Sequence, residues 1–502
     1  MSVATLHFPD IDLSSLPKGF SSRSISQSIL SLLEPQVAIE YFALPFGIDS
    51  QGRLEVLSAY PYDIDTLQAL QLHTGMIIKP TRSTKETVLK LVDFFYGASR
   101  QRQSISATAE KQSTFAINIH ESATVIVNDI IHEAIRLRAS DIHCEPFERT
   151  MLVRFRIDGV LHEMGSITQD RISEIVSRIK IISSMDIAEK RRSQDGKIRI
   201  TDQGRDVDIR VSTLPTGFGE KTVMRILDKS NYDITLDSIG MDQARLELFK
   251  KSVSMPNGIV LCTGPTGSGK TTSLYAAINF IKRADINIST VEDPIEYNIT
   301  GVNQTQVNQL TGMTFAHSLR TLLRQDPDVI MVGEMRDSET AEIAIRASLT
   351  GHLVLSTLHT NDAVSAVTRL IDMGIEPYLV SSSLSMVIAQ RLVRKICSHC
   401  ICETDLTSEI ITMYGISEGS KCYKGLGCSA CGFTGYRGRT GIFEVLPITD
   451  HLRSLINKKA YAAEIRAAAC NEDMITLRQH AMIKLNEGST SLEEIVREIS
   501  VV

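Results

Sequence analysis

No apolar run in this chain reaches the roughly 18–20 residues that a helix needs to cross a bilayer. The richest stretch, "YLVSSSLSMVIAQRLV" (378–393), is broken by serines and an arginine. The opening, "MSVATLHFPDIDLSSLPKGF", lacks a basic segment followed by an apolar core, so no secretory signal is expected. We therefore expect a cytoplasmic protein whose membrane contact, if it has one, is peripheral. Surplus positive charge is missing too: 53 Lys and Arg against 59 Asp and Glu leave a net charge of −6. Without a basic–aromatic stripe, nucleic acid is not an expected partner. Nine cysteines, an odd number, argue for thiols or metal ligands in a reducing compartment rather than a disulfide framework. Collagen-like periods, repeat arrays and long disordered biases are absent.

What is present is an ordinary globular composition over 502 residues, too long for one core and enough for about three to four domains. Up to about residue 95, "VAIEYFAL" and "RLEVLSAY" read as strands and "TKETVLKLVDFFYG" (84–97) as an amphipathic helix. The stretch "ASRQRQSISATAEKQST" (98–114) has few bulky apolar residues and reads as linker. A helical pattern, "ATVIVNDIIHEAIRLRA" (123–139), then leads into short alternating segments, "MLVRFRI", "KIRI", "DVDIRV" and "TVMRIL". Asp158-Gly159 and Asp195-Gly196 are read as turns between them. This segment predicts a small sensor-type α/β domain. From about 240 the strands "GIVLC", "INISTVED", "VIMVGE" and "HLVLSTL" alternate with helical patterns, the signature of a parallel sheet covered on both faces. A cysteine-rich insert (397–431) and a tail with "AAEIRAAA" and "SLEEIVREIS" complete the chain.

"GPTGSGKTT" (264–272) fits G-x-x-x-x-G-K-[ST] between a strand, "GIVLC", and a helix, "TTSLYAAINFIK". Such a loop closes backbone N–H groups around phosphate oxygens at the positive end of a helix. Gly264, Pro265, Thr266, Gly267, Ser268, Gly269, Lys270, Thr271 and Thr272 are thus the candidate ATP contacts, with Lys270 on the β- and γ-phosphates and the Thr271 hydroxyl on Mg²⁺. Hydrolysis also needs a group that orients water. Glu334 ends the strand "VIMVGE", and Gly333 stands where an aspartate commonly precedes it. The cluster "EDPIE" (292–296) adds Glu296 as a second acidic candidate. "GHLVLSTLHTND" (351–362) supplies His352 and His359 around a further strand, as candidate γ-phosphate sensors. Arg210 and Arg225 lie on strands of the second segment; they read either as a solvated face or as arginines supplied in trans to a neighbour's nucleotide. "CSHC" (397–400) and "CSAC" (428–431) put four thiols, Cys397, Cys400, Cys428 and Cys431, in two C-x₂-C pairs with 27 residues between them. That pattern suits a structural Zn²⁺; a reduced, metal-free loop is the other reading.

Taken together these motifs resemble the secretion ATPases that power type II secretion and type IV pilus assembly. "ASDIHCEP" (139–146), "RFRIDGVL" (154–161), "QDGKI" (194–198) and "VSTLPTGFGEKTVMRIL" (211–227) are similar to that family's second N-terminal domain. "TVEDPIE" (290–296) resembles its aspartate box, "VIMVGEMRD" (329–337) its atypical Walker B and "GHLVLSTLHTNDA" (351–363) its histidine box, while "GYRGRTGIFEVL" (435–446) follows the metal insert as in the family. The resemblance implies a P-loop, RecA-like α/β ATPase domain with a parallel sheet, preceded by small α+β domains and carrying a zinc-knuckle insert. It divides the chain into a platform-docking domain (1–97), a linker (98–119), a PAS-like second domain (120–238), the ATPase core (239–396), the tetracysteine insert (397–440) and a helical C-terminal part (441–502). It makes Glu334 the catalytic carboxylate, Glu296 an acid near Mg²⁺ and water, and Arg210 and Arg225 contacts to a neighbour's nucleotide. Further implications are a homohexamer, docking through 1–97 on the cytoplasmic domain of an inner-membrane secretion platform protein, and the polytopic platform protein as a further partner. A compact N-terminal domain plus the insert favours the type II secretion branch over pilus extension. A low-hydrolysis nucleotide switch and a DNA-translocating ring are the remaining alternatives.

Overall fold

The computed structural model of the chain describes most of residues 25–92 and residues 121–202, 205–228, 234–404 and 421–499. The expected linker, 98–119, lies outside the described residues. The chain divides into two units, Met1–Gln112 and Ser113–Val502.

In the first unit, β1 (Ala43–Ile48) pairs antiparallel with β2 (Leu54–Ser58), and β2 pairs parallel with β3 (Ile78–Arg82). A helix, Ile64–Thr74, joins the last two strands. It starts where the Asp63 carboxylate accepts the Thr66 N–H and stops at Gly75 in the left-handed region. The expected strand in "VAIEYFAL" begins only at Ala43. Val37 and Ala38 are helical, and Phe42 has φ 45°, so the chain turns before it extends. A short apolar run does not by itself tell a buried helix from a strand.

The second unit opens with a two-layer α+β structure. Strands β4 (Ala139–Pro146), β5 (Thr150–Ile157), β6 (Val160–Thr168), β7 (Gln194–Asp202), β8 (Arg205–Thr216) and β9 (Gly219–Asp228) form an antiparallel sheet in the order β6-β5-β4-β9-β8-β7. Helices Ala123–Arg136 and Gln169–Ile182 cover it. Ile126, Ile130, Ile175 and Ile179 pack on the inward residues Ile142, Val153, Phe155 and Ile209. Asp158-Gly159 is the expected two-residue turn, with φ 48° and 89°. Asp195-Gly196 is not a turn: both residues lie inside β7. Gly196 is needed there because a Cβ would press on the Ser183 carbonyl oxygen and lie 2.9 Å from the Met185 terminal methyl.

The larger sheet follows. It contains β10 (Gly258–Thr263), β11 (Ile288–Glu292), β12 (Asn303–Gln306), β13 (Val329–Val332), β14 (Leu353–Leu358) and β15 (Leu384–Ile396). The short β16 (Ile401–Thr404) and β17 (Cys422–Gly425) pair with each other in the insert, and β18 (Tyr436–Pro447) returns to the large sheet. Its order is β12-β11-β13-β14-β10-β15-β18, parallel except for the last pair. Alternation along β10 shows why both faces are covered: Ile259 and Leu261 enter one core, Val260 and Cys262 the other. β18 runs through residue 440, where the insert was expected to end, and pairs with β15 from Ile396↔Tyr436 onward. The C-terminal part accordingly opens with a strand before its helices, Asp450–Asn457, Ala462–Asn471, Leu477–Asn486 and Leu492–Ile499.

Gly196→Ala is expected to destabilise the second unit by about 1–3 kcal/mol, the usual range for forcing atoms into a filled space. A lowered urea midpoint measures it; an unchanged midpoint would show that Ser183 and Met185 yield without cost.

Candidate functional site

The parallel register brings strand ends to one edge. β10 ends at Thr263, β13 at Val332 and β14 at Leu358, with Thr263 opposite Leu358 and Val332 opposite Ser356. The residues just beyond are the glycine-rich loop, Glu334 and His359. With Glu296 and Arg336 they line one cavity of about 700 Å³, an edge of which is formed by Arg138 and Leu227 of the smaller sheet's layer.

The loop wraps because Gly264, Gly267 and Gly269 take φ of 147°, 79° and 88°. It sits directly on β15: a Cβ at Gly264 would lie 2.5 Å from the Gln390 carbonyl oxygen, and one at Gly269 2.7 Å from the Gln390 amide nitrogen. Ser273 on the following helix donates to the Gln390 side chain at 2.8 Å. Lys270 opens the helix Lys270–Ile281 and is buried; its Nζ donates to the Gly264 and Pro265 carbonyls at 2.8 and 2.9 Å. Burial pushes the Lys270 ammonium below its ordinary pKa, which favours contact with an anion that restores the charged form. The Ser268 hydroxyl is buried with no hydrogen-bond partner among the described residues. Positive-φ glycines, a desolvated lysine and an unpaired buried hydroxyl at a helix N-terminus fit a polyphosphate. Thr271, half-buried one residue beyond Lys270, lines the same cavity.

Glu334 is gripped from both sides along the chain. The Thr357 hydroxyl donates to the Gly333 carbonyl at 2.7 Å, and the Met335 N–H to the Thr357 carbonyl at 3.1 Å. One carboxylate oxygen of Glu334 meets His359 Nε2 at 3.1 Å; the other is ion-paired with Arg336, which also approaches Asp293 at 3.8 Å. Burial pushes the Glu334 carboxyl up, but Arg336 and His359 together outweigh it and hold it below its ordinary value. Arg336 was not singled out from sequence for this contact; its place two residues after Glu334 was the available signal.

Three glutamates near the cavity differ in setting. Glu296 is exposed. Glu292, which sequence reasoning did not separate from its cluster, is buried and fully partnered: it accepts from Tyr275 Oη, from Thr290 at 2.6 Å and from Gln304 at 3.0 Å. It braces the wall and is not available to water.

His352, Arg210 and Arg225 stand outside the cavity. His352 precedes β14 while His359 follows it, so strand geometry separates them by roughly 20 Å. His352 bonds the Ala347 carbonyl at 2.9 Å and does not line the cavity. Arg210 and Arg225 are paired opposite each other across β8 and β9, and neither lines this cavity. Arg210 donates to the Ile295 carbonyl at 2.9 Å within the same chain, and Arg225 is ion-paired with Asp141 at 3.1 Å.

Apart from the cavity, Cys397, Cys400, Cys428 and Cys431 converge with all four sulfurs within 4.8 Å of one another. Three of the separations are 3.9, 3.9 and 3.8 Å. Tetrahedral thiolate zinc with bonds near 2.3 Å requires edges of about 3.8 Å. Backbone N–H groups of Gly427 and Gly435 point at Cys400 and Cys431 sulfurs, each at 3.3 Å. Cys402 and Cys422 lie on β16 and β17 outside the cluster, while Cys144 and Cys262 are buried in apolar cores.

The type II/IV secretion system protein family matches residues 119–497, and the MshEN domain matches residues 20–102. The chain is 48% identical to the type II secretion system protein E of Klebsiella pneumoniae over 96% of each chain. It is 42% identical to the type IV pilus assembly ATPase PilB of Thermus thermophilus over 93% of this chain, and spans 54% of that longer protein. Among solved structures, the pilus retraction motor PilT with bound ADP matches 74% of this chain and 95% of its own at a TM-score of 0.51 and 28% identity.

Removing Arg336 takes away the stronger of the two groups that oppose burial at Glu334, so its carboxyl pKa rises. Arg336→Ala should therefore shift the acidic limb of the ATPase kcat/KM profile to higher pH. A profile superimposable on that of the unaltered protein would show that Arg336 does not set this titration.

Proposed function

The chain belongs to the type II/IV secretion system protein family, a family of ATP-hydrolysing enzymes, and from that premise we propose that it is the motor ATPase of a type II protein secretion system. Similarity to a type II secretion protein E along nearly the whole of both chains supports this branch. The single observation beneath the catalytic reading is Glu334, held between His359 and Arg336 at the wall of the loop's cavity.

In this reading the loop's N–H groups and Lys270 hold the β- and γ-phosphates of ATP. Thr271 would hold Mg²⁺, which would supply positive charge to the phosphate oxygens. Glu334, ionised through neutral pH, orients the attacking water and accepts its hydrogen bond. His359 fixes the carboxylate's rotamer and reaches toward the γ-phosphate. Glu296, exposed at the cavity, would contact the water that enters it. Arg225 keeps 59% of its side chain exposed, which leaves it accessible to a neighbour's nucleotide in a homohexamer; Arg210 is committed to Ile295. Residues 1–97 dock on the cytoplasmic part of an inner-membrane platform protein. That docking makes the motor peripheral to the membrane and couples hydrolysis to pseudopilus assembly. No helix among the described residues is long and apolar enough to cross a membrane. The four cysteines bind one structural Zn²⁺. Pilus extension is the second reading, favoured by the similarity to PilB.

Glu334→Gln should lower ATP turnover by roughly a hundredfold or more while nucleotide still binds. Unchanged turnover would remove Glu334 from catalysis. Recovered from its own cells' membranes with ATP present, this variant should bring down type II secretion platform proteins through residues 1–97; pilin-assembly partners instead would move it to pilus extension. Elemental analysis should give about one zinc per chain, lost when Cys397, Cys400, Cys428 and Cys431 become serine. Zinc retained by the serine variant would refute this site.

A further inference from the structure

The backbone ladder between β10 and β14 ends at Thr263 and Leu358. Immediately afterwards one chain turns into the phosphate loop and the other carries His359. No further strand pairing fixes His359 relative to the loop, although its ring must meet Glu334 at the cavity wall. One side chain bridges the gap. Thr263 is completely buried, and its Oγ1 accepts the Thr360 N–H at 2.9 Å and lies 2.7 Å from Thr360 Oγ1. The Thr360 hydroxyl is also 3.1 Å from the Asp362 carbonyl oxygen. These contacts are met together when the Thr263 hydroxyl donates to Thr360 Oγ1 and the Thr360 hydroxyl donates onward to Asp362. Asp362 caps the next helix by accepting the Ser365 N–H at 2.8 Å and is ion-paired with Arg466 at 2.8 Å, so the far end of the segment is anchored. A second tie, Arg391 Nη2 to the Asn361 carbonyl at 3.0 Å, comes from β15, the strand beneath the loop.

We propose that Thr263 and Thr360 form a latch through which the phosphate loop positions His359 and, through it, the Glu334 carboxylate. They are positioning residues; neither lines the cavity. The chain of contacts runs from Gly264 through Thr263, Thr360 and His359 to Glu334, so the loop and the group that orients water share one support. Valine at 263 keeps the shape of threonine but removes the acceptor for a main-chain N–H and the hydroxyl pair with it. Serine keeps both. The inference rests on the catalytic reading of Glu334.

The test measures steady-state ATPase kcat and ATP affinity for the full chain with Thr263→Val, Thr263→Ser, Thr360→Val, His359→Ala, Glu334→Gln and the Thr263→Val/His359→Ala double variant, each checked for an unshifted thermal midpoint. Thr263→Val should lower kcat about tenfold, with the ATP Kd within about twofold of the unaltered chain. Thr263→Ser should restore most of that activity. The double variant should be no slower than His359→Ala alone, because both act through one element. Thr360→Val removes the hydroxyl pair from the half-buried side and should also lower kcat, which keeps the proposal open to refutation if valine at 263 misfolds. Full kcat in Thr263→Val or Thr360→Val, a parallel loss of ATP binding, or multiplicative effects in the double variant would each overturn the latch. Glu334→Gln separates the two claims: if it is inactive while the threonine variants are normal, the latch alone fails; if it is fully active, both fail.

Discussion

Parallel pairing of β14 with β10 on one side and β13 on the other is the constraint on which the site depends. It ends three strands at one edge, and the residues that follow them become neighbours although some 25 to 95 positions apart in sequence. The register cannot slip, because both faces of these strands are apolar and each face has its own core. Side-chain hydroxyls extend the pairing past the ladder's end: Ser356 to the Val332 carbonyl, Thr357 to the Gly333 carbonyl, Thr263 to Thr360. Small polar residues at the ends of otherwise apolar strands thus act as clamps that the backbone no longer supplies.

Burial assigns different work to chemically similar groups around this edge. Glu292 is enclosed and saturated with donors, so it braces the wall. Glu334 is partly buried, charged and held at both oxygens, the state in which a carboxylate can orient water without wandering. Glu296 is exposed and adaptable. Lys270, desolvated and tied to its own loop's carbonyls, is a cation waiting for a better anion.

The cavity has a second wall from the antiparallel layer, through Arg138 and Leu227, and that layer is tied to the ATPase part at identifiable points. Arg210 reaches the Ile295 carbonyl beside the acidic turn, and the Asp158 carboxylate accepts the Gly438 N–H at 2.7 Å. Both ties are polar. Asp158 does two jobs from one position: it forms the β5–β6 turn with a positive φ and offers its side chain to β18.

Much of this was legible in the residues alone. The glycine-rich loop, its flanking strand and helix, the apolar strands of the large sheet and the paired cysteines announce themselves, because each depends on local spacing that one short segment contains. Glycine at 196 misled for a physical reason: Asp-Gly marks a turn locally, yet here the missing side chain serves close packing against Ser183. β12, β15 and β18 were also not legible as sheet strands, since short polar or arginine-bearing segments carry no clean period. The sequence by itself determined which chemical groups exist and in which local settings they begin. Only the tertiary structure decided that His359 and not His352 reaches Glu334, that Arg336 is its counter-charge, and that Thr263 meets Thr360, because a strand carries its two ends about 20 Å apart and only pairing between distant strands determines which end faces the cavity.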